Sequence, residues 1–134
     1  MRWCALSGPT GVGKSAVAAR AAVLLDAEIV CADSRQLYRG LRAGSAQPSP
    51  AELAAAPHHL YETLDPAEAC SAGAFRALAL PVMRAIASRG RLPLLGGGTG
   101  LYLKALGGAW SLAPQAPAAL VAGLEARATR EGAP

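Results

Sequence analysis

The stretch Gly8-Pro9-Thr10-Gly11-Val12-Gly13-Lys14-Ser15 (GPTGVGKS) fits the pattern G-x-x-x-x-G-K-[ST] without a gap. Ahead of it, Trp3-Cys4-Ala5-Leu6 is a short apolar run; behind it, Val17, Ala21, Leu24 and Leu25 recur at helical spacing within Lys14 to Leu25. The order is strand, glycine-rich loop, helix. In that setting the glycines let successive backbone N–H groups turn toward an anion, and the helix adds its positive N-terminal end. Lys14 is expected to reach terminal phosphates, and the Ser15 hydroxyl is the usual ligand for Mg2+. Every residue from Gly8 to Ser15 is thus a candidate for binding a pyrophosphate or nucleotide.

The next apolar run, Glu28-Ile29-Val30-Cys31-Ala32, favours a buried parallel strand and stops at Asp33. Residues 40–57 carry Gly40, Gly44, Pro48, Pro50 and Pro57 and are too broken for a long regular element. Ser71 is placed to cap a helix that presents Phe75, Leu78, Val82 and Ile86 and stops at Gly90, with Pro81 expected to kink or shorten it. Leu92-Pro93-Leu94-Leu95 reads as a strand running into Gly96-Gly97-Gly98-Thr99-Gly100, and Leu101, Leu103 and Leu106 begin another helix. A last helix is predicted from about Ala118 to Arg130. Alternating strands and helices predict an α/β fold, a P-loop NTPase-like parallel sheet with flanking helices. Its ligands belong at the carboxyl ends of the strands, where Gly8–Ser15, Asp33 and Gly96–Gly100 all fall.

The chain has 134 residues, 52% hydrophobic and 16% charged, which suits one packed domain and argues against disorder. Its net charge of +4 suits a polyanionic partner without requiring one. Cys4, Cys31 and Cys70 are too scattered for a metal site or a disulfide framework and read as core residues in a reducing compartment. No signal peptide and no apolar run long enough for a membrane helix is visible, so a cytoplasmic location is expected.

Asp33, directly after a strand, could coordinate Mg2+, act as a base or cap a turn. The Gly96-Gly97-Gly98 run with Thr99 reads either as a second anion nest or as a flexible strand-to-helix turn. That strand ends without an acid, unlike the metal-binding strand ends of many phosphate-loop ATPases, which weakens a nucleotide-hydrolysing reading. His58 and His59 have no third ligand in view and read as structural.

Taken together, GPTGVGKS, ADSRQLYRGL, PHHLYETLDP, SAGAF and GGTGLYLKAL resemble the tRNA dimethylallyltransferase (tRNA isopentenyltransferase) family from about Leu6 to Gly107. The resemblance implies transfer of a dimethylallyl group from dimethylallyl pyrophosphate to N6 of an adenosine next to the tRNA anticodon. On it, Asp33 matches the family's base and Thr99 its reaction-site threonine, while Lys14 meets the charge of the departing pyrophosphate. Asp33, Ser34, Arg35, Gln36 and Thr99 match positions that contact the tRNA around an extruded base. Mg2+, with Ser15 as its protein ligand, is the implied cofactor.

The chain departs from the family at Gly44-Ser45-Ala46-Gln47-Pro48, where members often read G-T-A-K-P, so a cation is absent at residue 47. Family members also continue well beyond this length. The sequence is therefore expected to represent an N-terminal core (residues 1–112) and an alanine-rich tail (113–134), with a fold incomplete at its C-terminal side. That leaves three alternatives: a fragment, a truncated gene product, or one piece of a split protein whose partner is a complementary C-terminal polypeptide. The competing readings are an ATP-dependent small-molecule kinase and a non-catalytic remnant that binds phosphate ligands.

Overall fold

Strand β1 (Cys4–Ser7) forms where the first apolar run enters the phosphate loop, and helix α1 (Lys14–Leu25) starts inside the GKS motif. The computed structural model describes residues 1–108 and 116–132. After α1 come β2 (Ala27–Cys31), α2 (Pro50–Ala55), β3 (His58–His59) and α3 (Ala72–Ser88). They are followed by β4 (Leu92–Gly97), α4 (Gly100–Leu106) and α5 (Ala118–Glu131). The boundary expected between residues 112 and 113 lies outside the described residues.

The strands form a four-stranded sheet in the order β1-β4-β2-β3, with every pairing parallel. Strand β4 lies between the first two, with Leu94 opposite Cys4 on one side and Ile29 on the other. The chain from β1 must therefore cross over the place β4 later fills. Because all strands run one way, their carboxyl ends share one edge, as the alternating pattern predicts.

Each face of the sheet is covered. On one, α3 and α4 bury Phe75, Met83, Ile86 and Tyr102 against Val30 and Leu95, and the Phe75 and Tyr102 rings stack with centroids 4.1 Å apart. On the other, α1 packs Ala18 and Ala22 onto Ile29 and Leu94. Alanine there lets the helix approach closely. The larger residues that mark α1 as a helix are not its core: Val17, Leu24 and Leu25 are exposed, Leu24 by 81%.

One further reading changes. Helix α3 runs its full 17 residues through Pro81 and is not shortened by it. Pro81 and Ala77, whose carbonyl loses its intrahelical N–H partner, both lie on the exposed side, where water can replace the bond. Within the broken stretch 40–57, the short helix α2 is held by a capping box: the Ser49 side chain accepts from the Glu52 amide and the Glu52 carboxylate from the Ser49 amide. No described helix is long and apolar enough to cross a membrane.

At the opposite end of the sheet from the glycine clusters, the buried Glu28 carboxylate on β2 gathers three elements. It accepts from Arg89 Nη2 at 2.7 Å, lies 2.6 Å from His59 Nε2, and is 3.5 Å from Arg91 Nη1. Burial alone would raise the Glu28 carboxyl, but the Arg89 and His59 hydrogen bonds outweigh it and hold it below 4.5. The folded state then binds this proton less readily than the unfolded chain. Its stabilisation is complete above pH 4.5 and fades as pH falls through the lowered folded value. Replacing Glu28 with Ala is expected to cost roughly 2–3 kcal/mol at pH 7, because it leaves half-buried cations without their acceptor. Urea denaturation at pH 7 and near pH 4 checks this: the difference between wild type and variant should shrink at the lower pH.

Candidate active site

The phosphate loop bends through two left-handed glycines, Gly11 at φ 83° and Gly13 at φ 84°, conformations that would strain any residue with a Cβ. Gly13 is also the N-cap of α1 and supplies no side-chain cap, so the first-turn amides of the helix are left to an anion or to water. Lys14 Nζ donates to Pro9 O at 2.6 Å, closing the loop on itself while leaving the ammonium's other donors.

Asp33 follows β2 and has a divided carboxylate. Its Oδ1 accepts from the Arg35 amide at 2.9 Å, forming a turn, while Oδ2 accepts no hydrogen bond from a described residue. A Cβ at Gly98 would sit 3.6 Å from that free oxygen and 3.5 Å from Gly8 O. The phosphate-loop strand, Asp33 and the turn after β4 therefore meet at one point. The neighbouring Cys31 thiol, pushed up to about 12 chiefly by burial, stays protonated and offers no competing nucleophile.

The glycine run after β4 corrects one sequence reading. Gly96 and Gly97 are not a nest but the last residues of the strand, opposite Leu6 and Ser7. None of Gly96, Gly97 and Gly98 is left-handed, and only Gly98 stays exposed. The constraint is at Gly97, where a Cβ would lie 2.3 Å from the Ala32 carbonyl. Ala32 in turn donates its amide to Gly96 O at 2.8 Å and accepts from the Thr99 amide at 3.3 Å. Thr99 Oγ1 accepts from the Ser34 amide at 2.9 Å, which fixes the hydroxyl beside Asp33 and leaves its proton to donate.

These groups border a cleft of about 140 Å3 lined by Thr10, Gly11, Gly13, Lys14 and Ser15 on the loop side, and by Asp33, Gln36, Gly96 and Gly97 on the strand side. Of the other loop candidates, Gly8 lies behind Lys14, and Pro9 and Val12 are exposed at the rim. Arg35 is exposed, and its guanidinium has no partner among the described residues. Gln36 is buried; its amide nitrogen donates to Ser45 O at 2.9 Å and Ala46 O at 2.6 Å. Gln47, standing where the resemblance expects a cation, donates to Gln36 O. The two glutamines thus brace the loop that walls the cleft.

Sequence reasoning missed Glu52 and Tyr61, which also line the cleft. Glu52 had a signal, the Ser49-x-x-Glu52 capping box. Tyr61 stands within PHHLYETLDP, which does not disclose its place at the cleft. His58 and His59 are structural contacts here: His58 Nδ1 meets Ala56 O and His59 meets Glu28.

A sequence profile described as IPP transferase matches residues 36–134. The chain belongs to the IPP transferase family. A tRNA dimethylallyltransferase from Roseiflexus sp. (strain RS-1) is 49% identical over 130 residues, 96% of this chain and 43% of the relative. One from Bordetella petrii is 51% identical over 129 residues, 96% of this chain and 41% of its own. The crystal structure of a tRNA isopentenylpyrophosphate transferase from Bacillus halodurans superposes with a TM-score of 0.79 at 39% identity, covering 98% of this chain and 44% of that one. A eukaryotic dimethylallyltransferase solved acting on tRNA superposes at 0.74 and 28% identity, covering 78% of this chain and 26% of its own. The chain thus spans less than half the length of these family members, and its P-loop NTPase-like sheet is the part they share.

The glycines after β4 make unequal demands. Gly97→Ala is expected to destabilise the protein by about 3 kcal/mol or more, since backbone must move to admit the methyl group. Gly98→Ala meets only ordinary contacts and should fold. Thermal denaturation of the two variants side by side separates them.

Proposed function

We propose that this chain forms the donor-binding and base-bearing part of a tRNA prenyltransferase site. The observation that carries the reading is the free Asp33 Oδ2, set against the turn after β4 on a residue that lines the same cleft as Lys14 and Ser15. A phosphate loop alone would equally suit a kinase. A carboxylate without a donor beside it suits removal of a proton from a weak nitrogen nucleophile.

In the proposed reaction the pyrophosphate of dimethylallyl pyrophosphate lies against the amides of Gly11 to Ser15 and the Lys14 ammonium. The adenine N6 lone pair forms a bond to the allylic carbon as that carbon's bond to oxygen breaks. Pyrophosphate leaves with the bonding electrons, and the N6 proton passes to Asp33. Lys14 and the helix amides stabilise the growing charge on the leaving group. The Thr99 hydroxyl, with its acceptor role filled by Ser34, is free to donate toward the incoming base. Exposed Arg35 and the adjoining Ser34 suit contact with the tRNA backbone, while Gln36 would act by holding the cleft wall.

Mg2+ fits this set: the Ser15 hydroxyl and Glu52 line the cleft, and among the described residues no cluster of three His, Cys, Asp or Glu could hold a metal without help from the substrate. When bound, it would neutralise pyrophosphate oxygens alongside Lys14. We also propose that a complementary polypeptide completes the sheet at β1. Among the described residues that strand pairs only with β4, and Val17, Val23, Leu24 and Leu25 of α1 are exposed.

Calorimetric titration with dimethylallyl pyrophosphate, inorganic pyrophosphate and ATP tests the reading. Dimethylallyl pyrophosphate should bind, Lys14→Ala should weaken it about tenfold or more, and Asp33→Asn should leave it intact. In transfer to an anticodon stem-loop RNA, Asp33→Asn should lower the rate about 10²–10⁴-fold. Binding of ATP with none of dimethylallyl pyrophosphate would overturn the proposal.

A further inference from the structure

Tyr61 is held in place at some conformational cost. It lies just past β3 between Leu60 at φ 65° and Glu62 at φ 48°, both left-handed without being glycine. Such conformations persist only where surrounding contacts over-determine them, and they cluster at functional sites. Here the contacts are visible: the Glu62 amide donates to Gln36 O at 3.0 Å, the Thr63 amide to Leu37 O at 2.7 Å, and Arg42 pairs with the Glu62 carboxylate at 2.6 Å. The ring packs against both hydrophobic clusters and meets His58 edge-on, with centroids 5.4 Å apart.

All this fixes a phenol whose hydroxyl has no hydrogen-bond partner among the described residues. A tyrosine hydroxyl that is buried usually finds one. Among the described residues no buried side-chain oxygen or nitrogen goes unpaired, so this oxygen reaches solvent, and Tyr61 lines the cleft. The hydroxyl lies 3.8 Å from where a Cβ on Gly96 would stand, at the floor between β4 and α1, whose first turn carries Lys14 and Ser15.

We propose that the Tyr61 hydroxyl donates a hydrogen bond to a phosphoryl oxygen of the pyrophosphate bound in this cleft, a ligand contact that fixes the depth at which the group sits. The inference rests on the pyrophosphate reading of the site. Burial above all, with the Asp33 and Glu52 carboxylates adding to it, pushes the phenol well above its ordinary 10. It therefore stays protonated and meets an anion as a donor. A hydrogen bond to a charged acceptor is stronger than one between neutral groups, so its loss should be measurable.

Tyr61→Phe removes the oxygen and keeps the ring. Titration with inorganic pyrophosphate should show affinity falling about tenfold or more, with the thermal midpoint unchanged. The same loss is expected with dimethylallyl pyrophosphate. A tyrosine ultraviolet difference spectrum on adding inorganic pyrophosphate should appear in the wild type and vanish in Tyr61→Phe. Equal affinity of wild type and Tyr61→Phe for inorganic pyrophosphate would overturn the inference while leaving the pyrophosphate site standing. Loss confined to dimethylallyl pyrophosphate would also overturn it, since the hydroxyl would then act on the organic part. A wild type that binds neither compound would instead overturn the site reading, and this contact with it.

Discussion

The arrangement of the site depends on how closely two strands can end. Strand β4 passes the end of β2 so tightly that residue 97 has no room for a side chain: the Ala32 carbonyl occupies the place. That approach permits the Ala32 backbone to bond both Gly96 and Thr99. Through Thr99 it reaches Ser34, and the chain turns at Asp33 with one carboxylate oxygen in the turn and the other free. Position the two strands farther apart and Asp33 no longer shares a cleft with the phosphate loop, nor Thr99 a hydrogen bond with Ser34.

The rest of the molecule holds this junction from two directions. Beneath it, the buried Glu28 carboxylate ties β2 to the start of β4, the end of α3 and the short β3 through two arginines and a histidine. Burying that charge is costly, and the donors around it are what make it tolerable. Beside the junction, the irregular stretch between β2 and α3 is braced by Gln36, Gln47 and the Arg42–Glu62 pair. Of these braces the exposed ion pair is the weakest energetically, and the buried amide bonds of Gln36 the firmer. That stretch brings Glu52 and Tyr61 to the cleft, far in sequence from any phosphate-loop residue.

What the sequence disclosed follows from how local each signal is. GPTGVGKS carries its chemistry within one loop, so its place between β1 and α1 was readable. The same holds for the apolar run that became β2 and for the Ser71 cap of α3. The buried face of α1 was not readable, because it is made of alanines whose larger neighbours advertise the wrong side. The role of Gly97 depends on a carbonyl 65 positions away in the sequence, and a glycine triplet by itself suggests a nest or a flexible turn as readily as a strand end. Pro81 looked disruptive because sequence does not reveal that it and Ala77, whose carbonyl loses its N–H partner, lie on the exposed side of the helix. Tyr61 stands within PHHLYETLDP, yet its place at the cleft comes from tertiary contacts and two strained neighbours, which that stretch does not disclose.

If the phosphate loop and the Asp33–Thr99 junction form a single site, both respond to one ligand. Amide chemical-shift mapping during titration with dimethylallyl pyrophosphate tests it most directly. The amides of Gly11, Gly13, Lys14 and Ser15 should move together with those of Asp33, Ser34, Gly98 and Thr99 along one saturation curve. Shifts confined to the loop, with the junction amides unmoved at saturation, would contradict it.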